Sequence, residues 1–281
     1  MNNSMINSMV TMRALQQKID LVANNISHLD TNGYKRKDAT FKDVLNNVVS
    51  QPQGFEKEGR LSPLGLPQGW GARLSQVQLD LSQGTLKETG VSTDVSISGG
   101  ALFAIQRSIT DSNGERINEQ LYTRDGSFQW SVMPSDTEYR YLTTKDGWSV
   151  LNTAGEPIRV QMNEEIRIDE EGTLYAYRPS QPDSATAIGQ IQLMRVIRPQ
   201  YLQEMGYNKY GVAADAEIGA VLQAAAGGDD IAVKQGFLEQ SNVSLSDEMT
   251  ELMMIQRAFQ MNSRAITSSD TMMQLTNNLR G

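Results

Sequence analysis

Residues Leu238–Ile266 read LEQSNVSLSDEMTELMMIQRAFQMNSRAI, and the pattern continues to Leu279. Leu238, Leu245, Leu252, Phe259, Ile266 and Met273 recur every seven residues. Met254, Ala258, Met261, Ala265, Met272, Leu275 and Leu279 fill the adjoining three-four spacing. From Leu245 no Pro or Gly interrupts the run until Gly281. Ser244 or Ser246 suits the start, because a side-chain oxygen accepts from an otherwise orphaned backbone N–H, and Asp247 and Glu248 suit the positive end of the helix dipole. At about 1.5 Å per residue the helix is on the order of 50 Å long. A seven-residue apolar repeat of that length asks for a partner helix, since a whole stripe has to leave water.

The other chain end supplies that partner. Met5, Met12, Ile19 and Ile26 form one heptad row; Leu15, Val22 and Leu29 form its neighbour, with Ser8 as its polar member. The expected pairing sets Leu245, Leu252, Phe259, Ile266 and Met273 against Met12, Leu15, Ile19, Val22 and Ile26, or against their equivalents on neighbouring copies. Two amphipathic helices lying separately on a central domain would share this pattern.

Between the ends the signals change. Asn32-Gly33 stops the first helix, because Gly tolerates the positive φ of a C-cap. Phe41–Val49 is short and reads as a further helical stretch. Residues 51–71 hold three prolines and five glycines, a composition that resists helix; Phe55, Leu61, Leu64, Leu66 and Trp70 suggest an arm that docks rather than a bare linker. From Ala72 the pattern is short alternation broken by Asn113-Gly114, Asp125-Gly126, Asp146-Gly147 and Glu171-Gly172, each a hairpin-type turn. Residues 213–230 read as a second flexible segment and Ile231–Leu238 as a last strand. The expected fold is α+β: terminal helices (1–50 with 236–281) paired as a coiled coil, an arm at 51–71, and an inserted, mainly antiparallel β domain at 72–235.

Composition narrows the chemistry. The net charge of -8 opposes a nucleic-acid partner, because phosphates repel it. Cysteine is absent and His28 is the one histidine, so a His/Cys metal site or a Ser-His-Asp triad lacks material. His28 suits the negative end of the first helix better than a base's role. The carboxylates at 164–165 and 169–171 fit a solvated strand edge better than a glycosidase pair. No catalytic residue, metal or cofactor is expected. No apolar run approaches the ~20 residues of a membrane span, and no cleavable signal is visible.

Two long motifs carry a resemblance. ALQQKIDLVANNISHLDTNGYKR (Ala14–Arg36) resembles the N-terminal signature of the bacterial flagellar axial proteins, and Gly236–Ile266 resembles their C-terminal signature. PQGWGARL (67–74), SQGTLKETGVSTDVSISGG (82–100), YTRDGSF (122–128) and LQEMGYNKYG (202–211) follow in the order of the distal-rod type. The start MNNSMINSM, and Ala101-Leu102-Phe103 where the family carries an aromatic pair, depart from it. A second rod-type paralogue of Gram-positive bacteria fits these departures. The resemblance implies a structural subunit of the flagellar basal-body rod. It would leave the cell through the flagellar type III export apparatus without a cleaved signal, and assemble with itself and other axial proteins of rod and hook. It also marks Asn24, Asn25, Ser241, Asn242, Gln256 and Arg257 as motif positions whose polar groups sit among apolar ones. A hook subunit, a non-polymerising coiled-coil adaptor and a carboxylate hydrolase in the β domain are the alternatives.

Overall fold

A computed structural model describes residues 2–43, 47–49, 66–68, 71–74, 76–110, 116–133, 136–178, 181–213, 216–225 and 230–279. The chain forms two compact units, interleaved in sequence. One comprises Met1–Ser27, Lys37–Gln78 and Ser244–Gly281; the other comprises His28–Arg36 and Leu79–Val243.

The first unit holds helix α1 (Asn2–Ser27) and helix α3 (Leu245–Asn278). Its other described elements are strands. Phe41–Asp43 pairs antiparallel with Ala72–Leu74, and Asn47–Val49 pairs with Leu66–Gln68. The helical reading of 41–49 is therefore corrected. Its partners lie about 20 residues or more along the chain, beyond a Pro/Gly-rich stretch, so no local window reveals the ladder. Of the 51–71 arm, residues 66–68 pair back onto 47–49 and Gly71 lies against α1. A Cβ on Gly71 would stand 2.9 Å from the Asn7 carbonyl oxygen, and its φ is +93°. The rest of the arm lies outside the described residues.

The second unit is antiparallel throughout its described pairings. Its large sheet runs in the order Phe128–Met133, Asp136–Thr144, Ser149–Val150, Ala101–Thr110, Arg116–Thr123, Lys209–Val212, Leu202–Gly206. Arg159–Gln161 adds to Asp136–Thr144, Leu193–Val196 adds to Ala101–Thr110, and Leu222–Ala224 adds to Leu193–Val196. A three-stranded meander, Glu165–Ile168, Thr173–Arg178 and Gln181–Gln190, forms a separate sheet. The segment Ala101–Ile105 explains the core. Side chains alternate across a strand, so Ala101, Phe103 and Ile105 join one buried cluster while Leu102 and Ala104 join another. A strand buried on both faces reads as a continuous apolar run. Phe103 meets Phe128 edge to face at 5.1 Å, a favoured aromatic geometry.

The turn signals divide. Asp146-Gly147 and Glu171-Gly172 close true hairpins, with glycine φ of +80° and +78°. Asp125-Gly126 does not. The strands it joins pair elsewhere, and a Cβ on Gly126 would fall 1.6 Å from the Val95 carbonyl oxygen; the glycine serves close backbone packing. Asn113-Gly114 lies outside the described residues. The single strand expected at 231–238 is two, Ala232–Gln235 and Phe237–Glu239, because Gly236 at φ +79° turns the chain from one partner strand to another. Residues 213–230 include a short helix α2 (Ile218–Val221) and the strand Leu222–Ala224, whose Val221 and Leu222 are buried.

A buried ion cluster closes this unit. Glu239 Oε1 accepts from Lys35 Nζ and from the Gly84 N–H, each at 2.8 Å, and its Oε2 accepts from Arg124 Nε at 2.5 Å. All three side chains are essentially out of solvent. Burial and the neighbouring Arg124 cation push the Lys35 pKa below 10.5, against the pull of Glu239. Two cations share one carboxylate, so the partners are unequal. Glu239→Ala strands both cations and is expected to cost about 3–5 kcal/mol in urea unfolding. Lys35→Met leaves the Arg124–Glu239 pair and is expected to change stability by less than about 1 kcal/mol, measured the same way.

Candidate assembly interface

Helix α1 and helix α3 pack antiparallel. Asn25, near the end of α1, meets Glu248 in the first turn of α3, and Lys18 meets Glu251 one turn on. Leu15, Val22 and Ile255 form the buried centre, with Ile19, Ile26, Leu252, Ala258 and Phe259 packed against them. Of the expected pairing residues, Leu15, Ile19, Val22, Ile26, Leu252 and Phe259 thus come together. Met12, Ile266 and Met273 are half-buried outside that cluster. Leu245, the first residue of α3, is 46% exposed and lies outside that cluster.

The register explains what periodicity missed. The row Leu252, Phe259, Ile266, Met273 does turn toward α1, but its companion row is Glu248, Ile255, Asn262, Ser269. Only Ile255 in that companion row is apolar, and it is buried at 6% exposure. The second apolar row, Met254, Met261, Met272 and Leu275, instead faces solvent, with Met261 70% exposed. The heptad count named Leu252 and Phe259, which pack against α1, but did not name Ile255, since its companion row is otherwise polar.

A polar seam takes the place of the missing apolar row. Glu248 and Asn25 are fully buried. Asn25 Nδ2 donates to Glu248 Oε2 at 3.2 Å and to the Lys37 carbonyl at 2.9 Å; its Oδ1 accepts from the Lys37 N–H at 3.1 Å. One amide therefore holds a peptide and a carboxylate together. Lys18, 4% exposed, donates to Asp38 Oδ1 and the Ala39 carbonyl, each at 2.7 Å, and pairs with Glu251 at 3.0 Å. Burial lowers the Lys18 pKa, but the hydrogen bonds and charges of Asp38 and Glu251 outweigh it and hold it above 10.5. Its contribution is complete below that pH and is lost as pH rises past the raised value.

The other motif positions separate. In the second unit, Asn242 is a staple: Oδ1 accepts from the Arg36 N–H at 2.7 Å, and Nδ2 donates to the Asp80 and Ser82 carbonyls at 2.9 and 3.1 Å. Ser241 Oγ accepts from the Val243 N–H at 3.3 Å. Asn24, Gln256 and Arg257 are exposed on their helices. The sequence reading missed Lys18, Glu248 and Glu251; an isolated Lys and two Glu on an amphipathic helix look like its solvent face. It also missed Lys35, Arg124 and Glu239, which lie up to 204 positions apart.

His28 follows the last residue of α1. Its ring stacks on Tyr34 at 4.6 Å, and its Nδ1 lies 3.1 Å from Thr31 Oγ1. It lines a cleft of about 250 Å³ with Asp125, Asp146 and Lys209. Both acids are engaged: Asp146 pairs with Lys209, and Asp125 accepts from the Ser127 N–H. Among the described residues no group of three His, Cys, Asp or Glu is placed to hold a metal ion.

The chain thus combines terminal helices that meet each other with an antiparallel β unit that has its own core, the make-up of a structural subunit. A family model described as "Flagellar basal body rod FlgEFG protein C-terminal" matches residues 234–279. The chain is 33% identical to the flagellar basal-body rod protein FlgG of Borreliella burgdorferi, over 96% of this chain and 95% of that one. It is 31% identical to the flagellar hook-basal body complex protein FlhP of Bacillus subtilis over all of both chains, and 29% identical to that organism's FlgG, again over all of both. The chain belongs to the flagellar basal-body rod protein family and is a structural subunit of the rod.

Replacing Glu248 separates the two functions of the seam. Glu248→Gln keeps an acceptor for Asn25 and is expected to cost less than about 1 kcal/mol; Glu248→Leu removes the carboxylate acceptor of the buried Asn25 amide, which keeps its two bonds to Lys37, and is expected to cost about 2 kcal/mol. Thermal unfolding followed by far-ultraviolet circular dichroism measures both.

Proposed function

We propose that the helical ends polymerise as coiled coils, each α3 using the stripe that α1 leaves uncovered to pack on neighbouring copies and on other axial subunits. One observation carries this reading: α3 has two apolar stripes, and α1 covers one. Met254, Met261, Met272 and Leu275 remain exposed. Soluble single chains seldom leave a continuous apolar stripe in water, and methionine packs well against surfaces of varied shape. Met12, Leu15, Ile19, Val22, Ile26, Leu252, Phe259, Ile266 and Met273 form or extend the intramolecular face, while Asn25 fixes its register. Leu245 is the exposed N-terminal member of the Leu252–Phe259 row. The terminal helices with their adjoining strands are the assembly domain, and the β unit is the insert between them in sequence.

The same reading makes the chain a non-enzymatic subunit that uses no cofactor and leaves by the type III export route without a cleaved signal. Engagement of both cleft acids by neighbouring groups favours it over the hydrolase alternative. No helix among the described residues is long and apolar enough to cross a membrane.

Two substitutions divide folding from assembly. Met261→Asp places a charge on the uncovered stripe and is expected to abolish polymerisation with Tm changed by less than about 2 °C. Leu252→Asp buries a charge between the helices and is expected to lower both. Electron microscopy of basal bodies from a strain whose only copy is Met261→Asp should show a truncated rod without a hook. An intact rod lacking only the hook would move the subunit outward to the hook, and normal basal bodies would overturn the assembly role.

A further inference from the structure

The chain has 14 methionines and no cysteine, so the thioether is its only form of sulfur. These thioethers are not spread evenly. Helix α3 alone carries Met249, Met253, Met254, Met261, Met272 and Met273. Met261 is 70% exposed, Met254 59% and Met272 55%. At 3.6 residues per turn these three lie within about 20° of one line along the helix. Leu252, Ile255 and Phe259, which pack in the cluster with α1, lie about 120–180° round the helix from Met261. The stripe proposed to carry assembly is therefore a row of open thioethers on the face turned away from α1. Met9, Met162 and Met205 are comparably exposed elsewhere in the chain, whereas Met194 is 7% exposed within a core cluster.

A thioether in water reacts with peroxides. The sulfur lone pair takes one oxygen of hydrogen peroxide: an S–O bond forms as the O–O bond breaks, and the departing hydroxide takes the proton of the transferred oxygen. The products are methionine sulfoxide and water; the sulfur has lost two electrons and the peroxide has gained them. The reaction turns a flexible apolar side chain into a polar one. On a solvated helix face that change costs the single chain little. Between packed helices the new oxygen leaves water without a donor to meet it, and burying an unpaired polar group is unfavourable. The face toward α1 is spared, because its apolar members Leu252, Ile255 and Phe259 carry no sulfur. Oxidation of the stripe therefore acts on the contact between chains and not on the contact within one.

We infer that Met254, Met261 and Met272 form an oxidative modification site, at which a peroxide blocks assembly of the subunit without unfolding it. This rests on the proposed polymerisation through the stripe. The test treats the full-length monomer with hydrogen peroxide, maps sulfoxides by peptide mass spectrometry, and measures Tm and the critical concentration for polymerisation. Sulfoxide at the three positions should leave Tm within about 2 °C and raise the critical concentration on the order of tenfold. Methionine sulfoxide reductases acting on both epimers should restore the untreated value. In a chain with Met254→Leu, Met261→Leu and Met272→Leu, a swap that keeps volume and apolarity, the ratio of critical concentrations with and without peroxide should fall to about one. In a chain with Met9→Leu, Met162→Leu and Met205→Leu the ratio should stay on the order of ten. Equal polymerisation of oxidised and untreated wild-type chain overturns this inference alone. So does a peroxide response that survives in the first variant or vanishes in the second, or a fall in Tm that accompanies the loss of assembly. An untreated wild-type chain that forms no polymer, alone or on a rod seed, overturns the polymerisation reading and this one with it.

Discussion

One buried carboxylate does more to define the β unit than any single apolar contact. Glu239 lies at the end of the last strand, yet its oxygens hold Lys35, Gly84 and Arg124, and its backbone carbonyl accepts from the Gly33 N–H. Three other parts of the chain converge on one residue. Arg124 extends the convergence by donating to the Ile97 carbonyl at 2.8 Å and to the Ala101 carbonyl. Hydrophobic burial is non-directional and could be satisfied by several packings of the same strands. A buried, geometrically demanding ion cluster is satisfied by one. Such a cluster adds little net stability but makes misassembled alternatives expensive. Gly33 fits this constraint: its φ is +69°, and a Cβ there would stand 2.6 Å from the backbone of Arg124 and Asp125.

The sequence disclosed these features unevenly, for physical reasons. The antiparallel class and the Asp146-Gly147 and Glu171-Gly172 hairpins were legible because their signals are local. The strands at 41–43 and 47–49 were not, since their partners lie beyond a Pro/Gly-rich stretch. Asp125-Gly126 imitates a hairpin turn because the same dipeptide that allows positive φ also allows close backbone approach. Gly236 divides a run that alternation alone reads as one strand. The ion cluster left no local trace at all: Lys35 sat in a basic run that resembles a solvated helix exit.

The helices show the same limit more sharply. Period seven named Leu252 and Phe259 on α3 and Ile19 and Ile26 on α1, all of which lie in the cluster between the helices. Rotation of α3 about its axis was not legible, because periodicity reports which residues share a stripe but not which of two stripes is covered. Of the two stripes, Leu252, Ile255 and Phe259 pack on α1 while Met254, Met261, Met272 and Leu275 are exposed. Burial of Glu248 beside Asn25 decided the rotation. Motif resemblance had marked Asn25, though not the carboxylate it meets.

That division of α3 has a physical logic. The face toward α1 mixes Leu252, Ile255 and Phe259 with Glu248 and Glu251, and every described polar group there has a designated partner. Such a face tolerates one register, because sliding by a turn would strand a buried carboxylate or Lys18. The opposite face has the reverse character. Met254, Met261 and Met272 have flexible, unbranched side chains that fill unlike gaps at modest entropic cost. On the proposed reading this face meets neighbours at positions that are not all equivalent, including subunits of other sequence. A polar, single-register seam within the chain and an adaptable methionine surface between chains therefore answer different demands on one helix. The first excludes wrong intramolecular pairings; the second accepts more than one correct neighbour.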